Sequence, residues 1–369
     1  MSLDARSASA LFEPDRLRLA RQLQGFSRAE LARRAELSAA AVSQFESGAT
    51  RPRPATVAQL ALALGMPAAF LASTGRPTVV PDVGESFFRS LRRTTQRDRE
   101  RAAAHAGLLA ELVARVEQRV VLPAVDLPQD LALDSDDEPE AGEEAAVRLR
   151  ELWDVPAGPV DHVVRLLERH GVVVARLPLL TKDVDAFSWT GGARPLVLLG
   201  ADKGVYERSR LDAAHELAHV VLHAADPQPA EPRLERQAQR FGGALLFPAD
   251  ALRDEWPKGR LDWGRLLILR QRWGVSMNAI LYRAKELGLM TPTSYENAMK
   301  YLSRKGWRVK EPGVARPPEE PALLGEAISL LESNGVALEQ IAVEAHLLAA
   351  DDLRDLLQLT NRPTLRVQI

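Results

Sequence analysis

The chain contains no cysteine. Disulfides, cysteine-ligated zinc or iron–sulfur sites and thiol catalysis are thereby excluded, and any metal site has to be built from histidine and carboxylate. Long apolar runs are missing too, since no stretch reaches the ~18 residues that would suggest a membrane span. The first residues, MSLDARSASALFEPDRLRLARQ, lack an apolar core followed by a small-residue cleavage site. A cytoplasmic protein without a membrane partner is expected. Neither sign of charge dominates, with 48 Lys and Arg against 50 Asp and Glu. Their distribution is uneven, however. Residues 14–120 hold most of the basic clusters, and residues 126–144 are acidic around DSDDEPEAGEE. At 369 residues the chain exceeds one ordinary core, so two or three domains are expected.

Histidine is scarce as well, yet three of the seven fall in AAHELAHVVLH, residues 213–223. His215 and His219 are four apart and so share one face of a helix. Both imidazoles can meet one ion at about 2 Å, while Glu216, just after the first, can face a metal-bound water as general base. An open catalytic site needs a third protein ligand. His223 continues the spacing, but its Cα lies roughly 12 Å along the axis from that of His215. A carboxylate from the next helix, ERQAQRFGGALLFP, is preferred. Glu235, Ala238 and Gly242 share one side of it, and the small residues allow close approach. His223 is then expected in a structural place behind the ligands, with a direct catalytic role as the alternative. For the His215/His219 pair the alternative is a hydrogen-bonded structural role.

Before this helix come three β-like runs, GVVVARL, DAFSWT and PLVLLG. A sheet edge beside the metal helix either accepts an extended peptide as an added strand or only covers the helix. At the other end of the chain, RAELARRAELSAAAVSQFESG has helix-turn-helix spacing, with Ser27 and Ser38 as N-caps and Gly48 as a stop. Ala29, Leu31 and Ala32 are expected to pack its first helix, and Val42 and Phe45 its second. Ala39, Ala40, Ser43 and Gln44 would face the major groove of double-stranded DNA, with Arg28, Arg51 and Arg53 on phosphates. A helical protein-interaction domain is the alternative.

Residues 16–71 resemble the XRE (Cro/CI-type) helix-turn-helix domains over their whole length, with Arg28 where that family commonly has glutamine. Residues 158–290 resemble the ImmA/IrrE family of zinc metallopeptidases, through RSRLDAAHELAHVVLH, LERQAQRFGGALLFP and ILYRAKELGL. That resemblance implies zinc on His215, His219 and Glu235, with Glu216 as catalytic base. It also implies a repressor-type protein as substrate in a stress or phage response. Ala218 and Gly200 stand where that family often has glycine and asparagine. Some regulators fuse both modules, and a subset carries a cysteine-rich cluster domain, which this chain cannot form.

The expected fold is α+β and mostly helical. It comprises an all-α helix-turn-helix domain (14–72) and a helical linker with a flexible acidic segment (84–157). A zincin-like domain with a small β-sheet (158–290) and a mainly helical C-terminal region (291–369) follow. The charged stretch 84–120 reads as one solvated helix, and GWRVKEP near 306–312 as a strand. The expected function is a DNA-binding zinc metalloendopeptidase, with Mn2+ as a possible substitute metal. It would cut a repressor or its own linker near 121–145, and a homodimer is expected. The alternative is an XRE regulator whose zincin-like domain is a non-catalytic sensor or structural module.

Overall fold

A computed structural model describes residues 3–73, 75, 95–177, 186–200, 204–224 and 231–356. The helix-turn-helix region holds α1 (Ala5–Ala10), α2 (Pro14–Leu23), α3 (Arg28–Arg34), α4 (Ala39–Glu46) and α5 (Pro54–Leu64). Both serine caps form. Ser27 accepts from the Glu30 amide and Ser38 from the Ala41 amide, each satisfying a donor that the first helical turn leaves over. Gly48 ends α4 at φ +74°. Leu31, Ala32 and Val42 are buried and Phe45 is half-buried against Phe12, but Ala29 is exposed. Ala35 takes the packing place expected of Ala29, three residues after Ala32 on the inner face.

The helix expected over 84–120 is α6 (Gln96–Val116) as far as it is described; residues 84–94 lie outside the described residues. It is not a solvated linker. Ala102 to Leu109 are buried without a break. Its charges sit at the ends, and a run of alanine and glycine in the middle lets neighbours close around it. One of those neighbours is α2, and others belong to the sheet and to the C-terminal region. There α15 (Leu323–Ser333), α16 (Leu338–Glu344) and α17 (Ala350–Leu356) add Ile328, Leu331, Ile341 and Leu353 to the same core. Arg16 ties the three parts together. Its guanidinium, fully buried, donates to Glu111 on α6, to the Phe70 carbonyl and to the His346 carbonyl.

The three apolar runs form β1 (Val173–Leu177), β2 (Ala186–Trp189) and β3 (Leu196–Gly200), ordered β1-β3-β2. β1 runs parallel to β3 and β2 antiparallel to it. The period of two sends alternate residues to opposite faces. Val173, Phe187, Trp189 and Leu198 join the core of α6 and the helix-turn-helix, whereas Val174, Ala186, Val197 and Leu199 face a second core. That second core holds α7 (Ala141–Leu152), α8 (Val163–Arg169), α9 (Tyr206–Leu222), α10 (Pro232–Leu246), α11 (Ala249–Glu255), α12 (Trp263–Trp273), α13 (Met277–Glu286) and α14 (Pro292–Arg304).

The structure corrects two further expectations. The acidic segment within 84–157 is not flexible between residues 123 and 145. Leu133 donates to the Leu222 carbonyl, a short 3-10 turn forms at Gln129–Leu131, and α7 begins at Ala141. Its carboxylates find arginines: Glu138 pairs with Arg233, Glu140 with Arg240 and Glu143 with Arg283. α7 then crosses α10 so closely that a Cβ on Gly142 would overlap the Gln237 carbonyl. GWRVKEP is a turn, not a strand. Gly306 at φ +70° closes α14, and the Trp307 amide returns to the Leu302 carbonyl, the helix ending that favours glycine.

Candidate metal centre

α9 carries the histidines because its apolar stripe, Ala213, Leu217, Val220 and Val221, packs into the second core and leaves His215 half-exposed on the opposite side. α10 lies against α9 at glycine distance: a Cβ on Gly242 would stand only 3.2 Å from the His215 amide nitrogen. That approach brings Glu235 over the histidine pair. The Nε2 atoms of His215 and His219 are 3.2 Å apart. Glu235 reaches both, with Oε2 3.3 Å from His215 Nε2 and Oε1 3.3 Å from His219 Nε2.

These separations test whether the donor set fits a metal. Two ligands bound at 2.0–2.1 Å in tetrahedral geometry stand about 3.3 Å apart. The two imidazoles stand close to that distance apart, and Glu235 presents one carboxylate oxygen to each of them at a similar distance, so the donors fit a single ion in type and approximate spacing. His219 is 2% exposed and Glu235 19%, so the triangle is half-buried with His215 on the open side.

Behind His219 a chain of hydrogen bonds runs inward, and a metal on Nε2 would set its polarity. With its Nε2 lone pair kept for a metal, His219 carries its proton on Nδ1 and donates to His223 Nδ1, 3.0 Å away. His223 then donates from Nε2 to Gln237 Oε1 at 2.9 Å. Gln237 Nε2 donates to the carbonyls of Asp134 and Asp137. His223 is fully buried and lies in this chain behind His219, away from the donor triangle. Gln237 has no place among the expected site residues. Its signal was a glutamine on the buried side of a strongly amphipathic helix.

Glu216 is buried and accepts from Ser188 Oγ at 2.9 Å. Burial pushes its carboxyl up to about 8, the Ser188 hydrogen bond pulls the other way, and Asp212 adds to the rise. Ser188 was missed too. It is the polar residue of β2 on the face turned to α9, where AFSW otherwise offers hydrocarbon.

The positions expected to meet DNA lie on α4, at the start of α3 and just before α5. Ala39, Ala40, Ser43 and Gln44 are all exposed on α4. Arg28 is half engaged: its Nε bonds Glu46, which Arg21 also holds with two hydrogen bonds, so part of the guanidinium serves the fold. Arg51 donates to the Ala10 carbonyl, and Arg53 sits exposed just before α5. No helix among the described residues is long and apolar enough to cross a membrane.

A helix-turn-helix joined to a module with a His–Glu–His helix over a small sheet is the make-up of a DNA-binding regulator with a protease-like part. The comparisons with known families agree with this on both counts. Residues 167–285 match the IrrE N-terminal-like domain family, Peptidase_M78, and residues 17–71 match the Helix-turn-helix family HTH_3. No curated protein matches the chain.

Proposed function

We propose that this chain is a cytoplasmic, DNA-binding metalloendopeptidase that controls transcription in a stress or phage response by hydrolysing a peptide bond in a repressor-type protein. The donor cluster of His215, His219 and Glu235, with Glu216 next to His215 in the helix sequence, carries this reading. The three ligands would hold zinc, or manganese, since histidine and carboxylate accept both. Zinc supplies a Lewis acid and brings the pKa of a bound water to about 7. Glu216, oriented by Ser188, would take and return the proton at its carboxylate once a bound cation favours its charged form over the neutral one that burial alone promotes. His223 and Gln237 keep His219 in the tautomer that leaves Nε2 for the metal. The helix-turn-helix binds duplex DNA as a homodimer through Ala39, Ala40, Ser43 and Gln44, with Arg28, Arg51 and Arg53 on phosphates. A separate protein is favoured as substrate over residues 121–145, because those residues are held by Leu222, Gln237 and three arginines.

The test combines metal content with cleavage. Wild-type protein is expected to retain about one zinc per chain and His219→Ala almost none. XRE-type repressors encoded beside its gene are to be incubated with wild type and with Glu216→Gln, and the products weighed. Cleavage by wild type alone supports the reading. A wild-type protein that retains no metal, or equal product with Glu216→Gln, would sink it.

A further inference from the structure

The helix pair that carries the ligands continues into a second feature, whose role rests on the proposed metal centre. Leu211 precedes His215 by one turn of α9. Gln239 follows Glu235 by one turn of α10, and Gly243 follows by two. All five positions are exposed or half-exposed, so they form one open face running from the donor triangle along both helices. At 5.4 Å per turn, the far end of this face is one to two turns from the ligands.

There the face opens into a cavity of about 160 Å³ between α9, α10 and α13. Phe247, Val275 and Ile280 are buried beneath it, Leu211 and Gly243 form its walls, and Tyr282 stands at its rim. A cavity of about 150 Å³ lined by such residues takes benzene. The charged groups around it are turned to one another. Arg283 donates to the Phe247 carbonyl and pairs with Glu143. Glu286 faces Arg240 and Tyr282. The rest of the lining is mostly hydrocarbon, with Gln239, Ser276 and Asn278 as its polar members.

We propose that this cavity is a specificity pocket for the large apolar side chain, of leucine or phenylalanine size, of a residue flanking the bond that the metal centre acts on. Gly243 controls the space. A Cβ there would meet only the Arg283 side chain, at 3.5 Å, an ordinary contact. A longer side chain at 243 therefore enters the cavity without displacing backbone.

The experiment uses zinc-loaded full-length protein and two hydroxamate probes. They carry an isobutyl group on one or the other side of the chelating group, and each is compared with its parent lacking that group. One isobutyl probe is expected to bind at least tenfold more tightly than its parent by titration calorimetry, as burial of four carbons allows. In Gly243→Leu, and separately in Ala279→Phe at a lining residue on α13, that advantage is expected to vanish while the parent binds as before, which also shows that the fold persists. If the parents bind but neither isobutyl group adds affinity, or if the advantage survives in both filled variants, the pocket assignment fails and the metal centre stands. If no hydroxamate binds zinc-loaded protein, the metal reading fails and takes the pocket with it.

Discussion

The Nδ1 atoms of His219 and His223 stand 3.0 Å apart, and only one of them can donate. Because a metal requires the Nε2 lone pair of His219, the donor is His219 and the acceptor is His223. Replacing His223 with leucine removes the acceptor and frees the His219 ring to turn. Metal affinity is expected to fall about 10- to 100-fold, as it does when such supporting hydrogen bonds are lost. Competition against a fluorescent zinc chelator measures this, and unchanged affinity would remove the positioning role.

His105 lies buried in the middle of α6, where loss of hydration pushes its pKa from the usual 6.5 down to about 4, and its Nδ1 hydrogen-bonds the Arg101 carbonyl. The folded chain therefore rejects a proton that the unfolded chain accepts. Its contribution is present in full above about pH 6.5 and is lost as pH falls toward 4, amounting to about 3 kcal/mol at the low end. Chemical unfolding of wild type and His105→Leu at pH 7.5 and pH 5 is the check. The variant is expected to lose less stability between the two, and equal losses would contradict the assignment.

Arg16 makes its three hydrogen bonds with no exposed surface. Arg16→Met leaves Glu111 without its partner and two carbonyls without donors. A loss of about 3–5 kcal/mol is expected. Arg16→Lys should recover little, since one ammonium group cannot reproduce the planar fork. Denaturant midpoints for the two variants decide the matter; near-wild-type stability in the methionine variant is the contrary result.

Gln44 and Arg53 separate sequence reading from charge. Gln44→Ala is expected to cost about 1–3 kcal/mol on a selected operator and to relax preference at one base pair. Arg53→Ala should weaken binding to all sequences alike and lower the salt slope by about one. Binding isotherms at several salt concentrations on selected and scrambled duplexes distinguish them. Equal losses on both duplexes for Gln44→Ala would show that α4 does not read bases.

The legible parts of this chain were those where one short pattern has one physical solution. HELAH places two imidazoles on one helical face whatever surrounds it, and GVVVARL and PLVLLG have few homes other than buried strands. Glu235 was reachable because Ala238 and Gly242 announce a close helix contact. The illegible parts depend on partners distant in sequence. DSDDEPEAGEE reads as solvated until Arg233, Arg240 and Arg283 are beside it. RDRERAAAHAGLLAEL reads as a one-sided helix until α2 and α15 close over its alanines. Ser188 and Gln237 act through a single hydrogen bond each on the side facing the site, a signal too small to stand out in a strand or a helix.

The sheet has no wetted side: every residue of its three strands is buried, one face toward α6 and α15 and the other toward α8 and α9. A fragment cut free at either side would carry away, or leave behind, a bare hydrocarbon plane. The two halves are therefore expected to melt together, in a single calorimetric peak. The helix-turn-helix of this chain shares its hydrocarbon with α6 and the C-terminal helices, so its stability is theirs as well.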